Sequence, residues 1–353
     1  MTTPFYATRE EIKAELDVRE TARSNTRIDR ALADATEAVH GLLHRRFYPE
    51  LTTRRFDWPP RTGATPWILR LNDNELISVN TLASGTVTIG ASDYFLRRAD
   101  DKDEAPYTRI ELNLDTSAAF GQGSTYQRDI AVTGLFGYRN DETSAGTVVE
   151  ALDATETGVD VDAATSAAVG VGSLLRIDAE RVIVTSRSNL DTGQTLGGAG
   201  LTNQNNAVTV AVQSGTAFAA GESIVIDSER MLVEDIAGNN LTVKRAWDGS
   251  PIAAHSVGAT IYAPRTLTVT RGALGTTAAT HLTAATVYRW DPPGPVRQLC
   301  VAEALTDLLQ GRSGYARTAG SGENERETRG IGLNDLRDRA YTSHGRKART
   351  RGI

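Results

Sequence analysis

Between residues 158 and 288 the chain carries two self-similarities whose order forbids a simple tandem repeat. Val159, Val161, Val169, Gly172, Ile177, Asp178, Glu180, Arg181 and Val184 recur 49 residues later as Val208, Val210, Phe218, Gly221, Ile226, Asp227, Glu229, Arg230 and Val233. At a spacing of 26, Leu241-Thr242-Val243, Arg245, Gly249, Ala253, His255, Thr260 and Tyr262 match Leu267-Thr268-Val269, Arg271, Gly275, Ala279, His281, Thr286 and Tyr288. The order is front, front, back, back, where a tandem duplication gives front, back, front, back. One small β unit (about 207–262) is therefore inserted into a loop of its sister (about 158–185 plus 267–288). Alternating Val, Ile and Thr with turn residues between them predict compact β barrels or sandwiches. Two copies are too few for a solenoid.

Composition separates this region from its flanks. Residues 145–289 hold 9 Lys+Arg and 14 Asp+Glu, whereas the flanks hold 29 and 30. Only Phe218, Trp247, Tyr262 and Tyr288 are aromatic in the middle, against 17 aromatics outside it. The expected organisation is α+β: a domain split over 1–144 and 290–353, carrying an all-β insertion at 145–289 made of the two nested units.

The flanks show where helices and strands begin. Thr8 and Glu11 have capping-box spacing ahead of Ile12 and Leu16. From Ser24 or Asn25 a second helix carries Ile28, Leu32, Ala35, Val39 and Leu42 on one apolar seam. That seam suits packing in the core or against a neighbouring subunit. Strands are predicted around 53–58, 67–71, 86–89, 93–98, 107–114 and 128–138, with Gly134 marking a bulge or a close backbone approach. Pro295 starts a third helix bearing Val301, Leu305, Leu308 and Leu309. The tail from Arg312 is Gly- and Arg-rich and is expected to be extended or ordered only by a partner.

Several function classes are disfavoured. The net charge of −6 argues against a chain dominated by nucleic-acid binding. A single cysteine, Cys300, supports neither a disulfide framework nor a Cys-based zinc site, and reads as a small buried side chain. Met1–Arg9 lacks the apolar core of a signal peptide, and no apolar run reaches the length of a membrane span. Asp178/Glu180/Arg181 and Asp227/Glu229/Arg230 resemble paired catalytic carboxylates. Their repetition favours a shared structural role instead, such as an Arg–carboxylate pair at a hairpin. His255 and His281 occupy equivalent positions and are expected to make the same local hydrogen bonds. His40 and His44 have a zinc-compatible spacing, but Gly41 stands where a metalloprotease motif needs Glu. No catalytic, cofactor-binding or metal-binding residue is therefore assigned. The sharpest charge feature is basic: Arg346, Lys347, Arg349 and Arg351, read either as a solvated tail or as a dock for an acidic partner or phosphate.

Taken together, the flanks resemble a tailed-phage head–tail connector, the adaptor that binds beneath the portal. The resemblance rests on an opening helix pair ending in Arg45-Arg46-Phe47-Tyr48 and strands around Arg54–Trp58 and Trp67–Leu71. It rests also on Asp129-Ile130-Ala131-Val132-Thr133-Gly134-Leu135-Phe136-Gly137-Tyr138, the helix from Pro295 to Gln310, and the basic tail from Gly330. The insertion departs from the pattern, because it separates the aromatic–Gly strand from its helix by about 150 residues. The resemblance implies a virion neck protein, present in the host cytoplasm during assembly. It would form a ring of about twelve copies between the portal and a stopper or tail-completion protein, and line the channel for passing DNA without specific binding. It implies neither cofactor nor membrane, and the insertion is expected to project from the ring. The alternatives are an adhesion or carbohydrate-binding protein using the β units, and a hydrolase using the Asp178/Glu180 and Asp227/Glu229 pairs as acid and base.

Overall fold

The computed structural model describes residues 3–16, 25–59, 65–98, 106–312, 318–319, 326–327 and 331–346. The chain is α+β and divides into two compact bodies: 44–141 with 274–276 and 346–353, and 1–43 with 142–273 and 277–345. Composition groups the terminal helices with residues 44–141, whereas packing density groups them with the β insertion. Among the described residues, no helix is long and apolar enough to cross a membrane.

The first body is a seven-stranded antiparallel sheet. Its strands are β1 (Glu50–Phe56), β2 (Ile68–Arg70), β3 (Leu76–Ser84), β4 (Val87–Ile89), β5 (Tyr94–Arg98), β6 (Tyr107–Leu112) and β7 (Ile130–Phe136). The order is β1-β7-β3-β6-β2, with β4 on β3 and β5 on β6. On β7, Ile130, Val132 and Phe136 alternate into the core beside Leu69, Leu76, Leu82 and Ile110. Gly134 meets the close-approach expectation: a Cβ there would lie 2.1 Å from the Ser78 carbonyl oxygen of β3. β3 itself escapes the sequence pattern because Ser78, Asn80 and Thr81 interrupt its apolar run and register irregularities lie on either side of Ser78-Val79.

The helices of the second body come from both ends of the chain. α1 (Arg9–Glu15) starts at the expected box, with Glu11 N–H donating to Thr8 Oγ1 (3.2 Å) and Thr8 N–H to Glu11 Oε2 (2.8 Å). α2 (Asn25–Leu43) buries Ile28, Ala31, Leu32, Ala35, Thr36, Val39 and Leu43. Leu42 is only partly buried, because the stripe continues four residues on from Val39 to Leu43. The α2 face packs on the helix of residues Gly294–Arg312, where Thr36 Oγ1 lies 3.7 Å from Cys300 Sγ. The tail departs from expectation: Ile331–His344 is a helix, held by an Arg337–Glu303 fork (2.6 and 2.9 Å) and by fully buried Ala340.

In the insertion, the outer copy contributes β8 (Glu142–Thr147), β9 (Gly158–Asp160), α3 (Ala163–Ala168), β10 (Leu174–Ile177) and the first half of β11 (Glu180–Thr195). The nested copy contributes β12 (Thr209–Ala211), β13 (Ser223–Ile226), β14 (Glu229–Ala237) and β15 (Asn240–Lys244). β16 (Thr260–Thr270) and β17 (Thr286–Trp290) return to the outer copy, followed by α4 (Gly294–Arg312) and α5 (Ile331–His344). Each copy has its own apolar core, one around Val161, Leu175, Val182, Leu267 and Val287, the other around Val210, Ile224, Met231, Leu241 and Ile261. The nesting is that of the sequence repeat, but the two units are not separate barrels or sandwiches. A single ten-stranded sheet runs through both copies in the order β12-β15-β14-β13-β16-β11-β10-β17-β8, with β9 paired to β16 as the tenth strand. The long strands β11 and β16 join them, pairing from Ile183–Thr270 to Thr195–Thr260. Where the nested copy closes its β14–β15 hairpin with Gly238-Asn239, the equivalent outer hairpin, β11–β16, opens to hold the nested copy.

The insertion is tied to the amino terminus. Phe5 N–H donates to Gly172 O (3.0 Å), Arg9 N–H to Val171 O (3.2 Å), and Val171 N–H to Glu10 Oε2 (2.8 Å).

Candidate functional site

The most organised polar chemistry in the molecule is a buried cluster present once in each β copy. In the outer copy the β10–β11 turn puts Asp178 in the left-handed region (φ 49°) and starts β11 at Glu180. The Glu180 side chain is 0% exposed. Its Oε1 accepts from Arg271 Nε (2.8 Å) and Gly272 N–H (2.8 Å). Its Oε2 accepts from Arg271 Nη2 (2.8 Å) and Ala279 N–H (3.0 Å), and lies 2.9 Å from His281 Nε2. His281 Nδ1 sits 2.8 Å from Asp178 Oδ2, and Arg271 also donates to the carbonyls of Asp153, Glu156 and Ala279.

The nested copy repeats the cluster bond for bond. Glu229 takes Arg245 Nε (2.6 Å) and Nη2 (2.7 Å), Ala246 N–H (3.1 Å) and Ala253 N–H (2.9 Å), with His255 Nε2 at 2.9 Å. His255 Nδ1 is 2.7 Å from Asp227 Oδ2, and Arg245 donates to the carbonyls of Thr202, Ala207 and Ala253.

These bonds decide the chemistry. Burial opposes ionisation of both glutamates, but the guanidinium, the backbone N–H groups and the imidazole outweigh it and hold each carboxyl down at about 2. Five polar partners surround two carboxylate oxygens, so no lone pair is left for a substrate or a proton in transit. The cluster is a clamp that fastens the loops 272–279 and 246–253 to the start of a hairpin. The expected Arg–carboxylate pair exists, but with a different arginine. Arg181 follows Glu180 directly on the strand and points to the opposite face, where it approaches Glu142 (4.0 Å). Arg230 pairs instead with Asp248 (2.9 Å). The true partners, Arg271 and Arg245, were already marked by the 26-residue repeat.

The remaining candidate residues fall in separate places. His40 Nε2 bonds Tyr6 OH (2.6 Å), while His44 lies past the end of α2 with φ 54°, so the helical spacing of the two is broken. No group of three His, Cys, Asp or Glu side chains among the described residues is placed to hold a metal ion. Burial pushes the Cys300 thiol up to about 11. A thiol so protonated is a poor nucleophile. In the basic tail, Arg346 donates to Asp73 Oδ1 (2.8 Å) and Asp73 O (3.0 Å) and lies 3.4 Å from Glu75. Lys347, Arg349 and Arg351 lie outside the described residues. The seam residues Ile28, Leu32, Ala35 and Val39 are buried within the chain.

Two further buried arginines escaped sequence reasoning. Arg265 forks onto Glu222 (2.8 and 2.9 Å) as an ion pair, and Arg187 donates to the carbonyls of Ser166 (2.7 Å) and Pro264 (3.0 Å). Neither is duplicated, so the repeat gave no signal for them. Compared with known protein families, curated proteins and solved structures, the chain matches none.

Proposed function

We propose that the chain is a head–tail adaptor of a tailed phage, a virion neck protein that assembles as a ring between the portal and a stopper or tail-completion protein. One observation carries the reading. Helices encoded at the two ends of the chain, α1 and α2 on one side and α4 and α5 on the other, pack into one group across an insertion of about 150 residues. That is what an adaptor split by a β insertion requires: the insertion enters and leaves the fold without separating the flanks. The ordered motifs of the flanks, above all the Val132-Thr133-Gly134-Leu135-Phe136-Gly137-Tyr138 strand, support the same reading. In it the basic end docks on the portal, and DNA passes without specific binding.

The test is electron microscopy of the purified chain mixed with candidate portal protein. A ring stacked on the portal is expected; monomers that never bind would overturn the proposal. Docking through the tail is tested by ending the chain at Arg346, which removes Lys347, Arg349 and Arg351. A cut at Gly330 would also remove α5 and its buried Ala340, and would confuse folding with docking. Loss of portal binding with an unchanged melting profile is expected, and full binding would refute tail docking.

A further inference from the structure

On the seven-stranded sheet, register places three arginines side by side. Arg70 of β2 is the partner of Arg109 of β6, and Arg109 is the partner of Arg97 of β5. Strands lie about 4.8 Å apart, so the three cations span about 10 Å on one face. That face is opposite the core, since Leu69, Leu96 and Ile110, each adjacent in its strand, turn inward. Like charges directly opposite one another on neighbouring strands destabilise a sheet. Among the described residues one carboxylate enters the row: Glu111 accepts from Arg97 Nε (3.2 Å) and lies 2.9 Å from Arg109 Nε. Its side chain is 14% exposed and orients two of the guanidinium groups; one carboxylate against three guanidinium groups leaves the row net positive. One aromatic ring lies beside the cations: Phe95, 48% exposed, is 5.7 Å from the Arg97 guanidinium.

We propose that Arg70, Arg97 and Arg109 form a strip that binds the phosphate backbone of DNA without regard to sequence. The planar guanidinium fork matches phosphate oxygens in two-point contact. The exposed Phe95 ring beside the cations offers a stacking partner to a base, which an acidic protein surface does not need. The inference stands apart from the adaptor reading, because it concerns the affinity of this face and not the assembly. Binding is sought at low salt, where screening of the strip is weakest.

The experiment uses the full chain and a fluorescein-labelled 20-base-pair duplex, read by anisotropy between about 50 and 200 mM salt. R70Q/R97Q is expected to weaken binding at least about tenfold at low salt and to reduce the logarithmic salt slope by about 2. R230Q/R339Q, an equal charge change elsewhere, is expected to leave both within about twofold. A melting profile that matches the unaltered chain shows that R70Q/R97Q is folded. R70K/R97K, which keeps the charge, is expected to restore the slope and part of the affinity. Three results would each overturn the proposal: no binding at 50 mM salt, equal loss in the two Gln variants, or polyglutamate competing as well as unlabelled duplex.

Discussion

In the outer copy Gly172 (φ 97°) faces Phe5, whose ring carbon a Cβ would approach to 2.4 Å; in the nested copy Gly221 (φ 90°) faces only Ala167, at 3.8 Å. The same backbone conformation is thus kept in both copies, while the packing against it exists in one. The clamp glutamates behave the opposite way, with the same bonds in both places. The next position differs again: Glu222 forks onto Arg265 in the nested copy, and its counterpart Ser173 accepts from Gly170 N–H in the outer one. Arg265 lies on β16, the strand both copies share, so that ion pair belongs to the junction. The comparison separates three layers. Turn glycines and the His–Glu–Arg clamp make a unit fold, Phe5 and Glu10 attach the outer copy to the helices, and Glu222 with Arg265 secures the nested copy in its host.

The clamps offer the largest test of that separation. Glu180→Gln and Glu229→Gln each leave a buried arginine without its counter-charge, at a cost of about 3–5 kcal/mol. Hydrogen exchange should show Glu180→Gln exposing amides of 174–187 and of the amino-terminal segment 4–12. Glu229→Gln should expose 223–243 alone. If Glu229→Gln opened the outer copy equally, the two cores would be one cooperative unit.

Acid should dissolve both clamps in the same window. Each glutamate is held at about 2 in the folded chain, against an ordinary value of 4.5. A carboxyl lowered by folding contributes stability above its unfolded value and loses it as pH falls towards its folded one. Stability should therefore decline from about pH 4.5 to about pH 2, and either Gln variant should flatten part of that slope in denaturant titrations at stepped pH.

The two glycines should differ by what surrounds them. Gly221→Ala is expected to cost about 1–2 kcal/mol through positive φ alone. Gly172→Ala should cost more, because the methyl also displaces Phe5. Equal melting losses would show that the amino-terminal docking adds nothing to the outer copy. The smallest effect on the outer copy is expected from removing its guest. Joining Ser188 to Thr266 through Gly-Asn copies the turn that links Ala237 to Asn240. It also removes Glu222 and Arg265 together, leaving neither charge orphaned. The outer copy should keep its exchange protection, and a collapse of that protection would show that it cannot fold without the nested copy.

Some of this was legible in single residues. Thr8 and Glu11 marked the first helix start, and Pro295 fell at the first turn of α4. The tail helix α5 left a weaker trace, Leu333, Leu336 and Ala340 at helical spacing, outweighed by the glycines and arginines around it. The partner of Glu180 was half legible. Strand alternation excludes Arg181, which follows it directly, but nothing local selects Arg271 from 91 residues away.

The nesting, the two cores and the equivalence of the clamps were determined by the order of repeated residues. A duplicated pattern of buried positions can bury itself only as two copies of one fold. The tertiary structure alone decided that β11 and β16 run unbroken through both copies, because strand length and pairing depend on what lies across the ladder. It alone decided which arginine neutralises each glutamate. It alone set Arg70, Arg109 and Arg97 in one row, since register between strands distant in sequence is a property of the folded sheet.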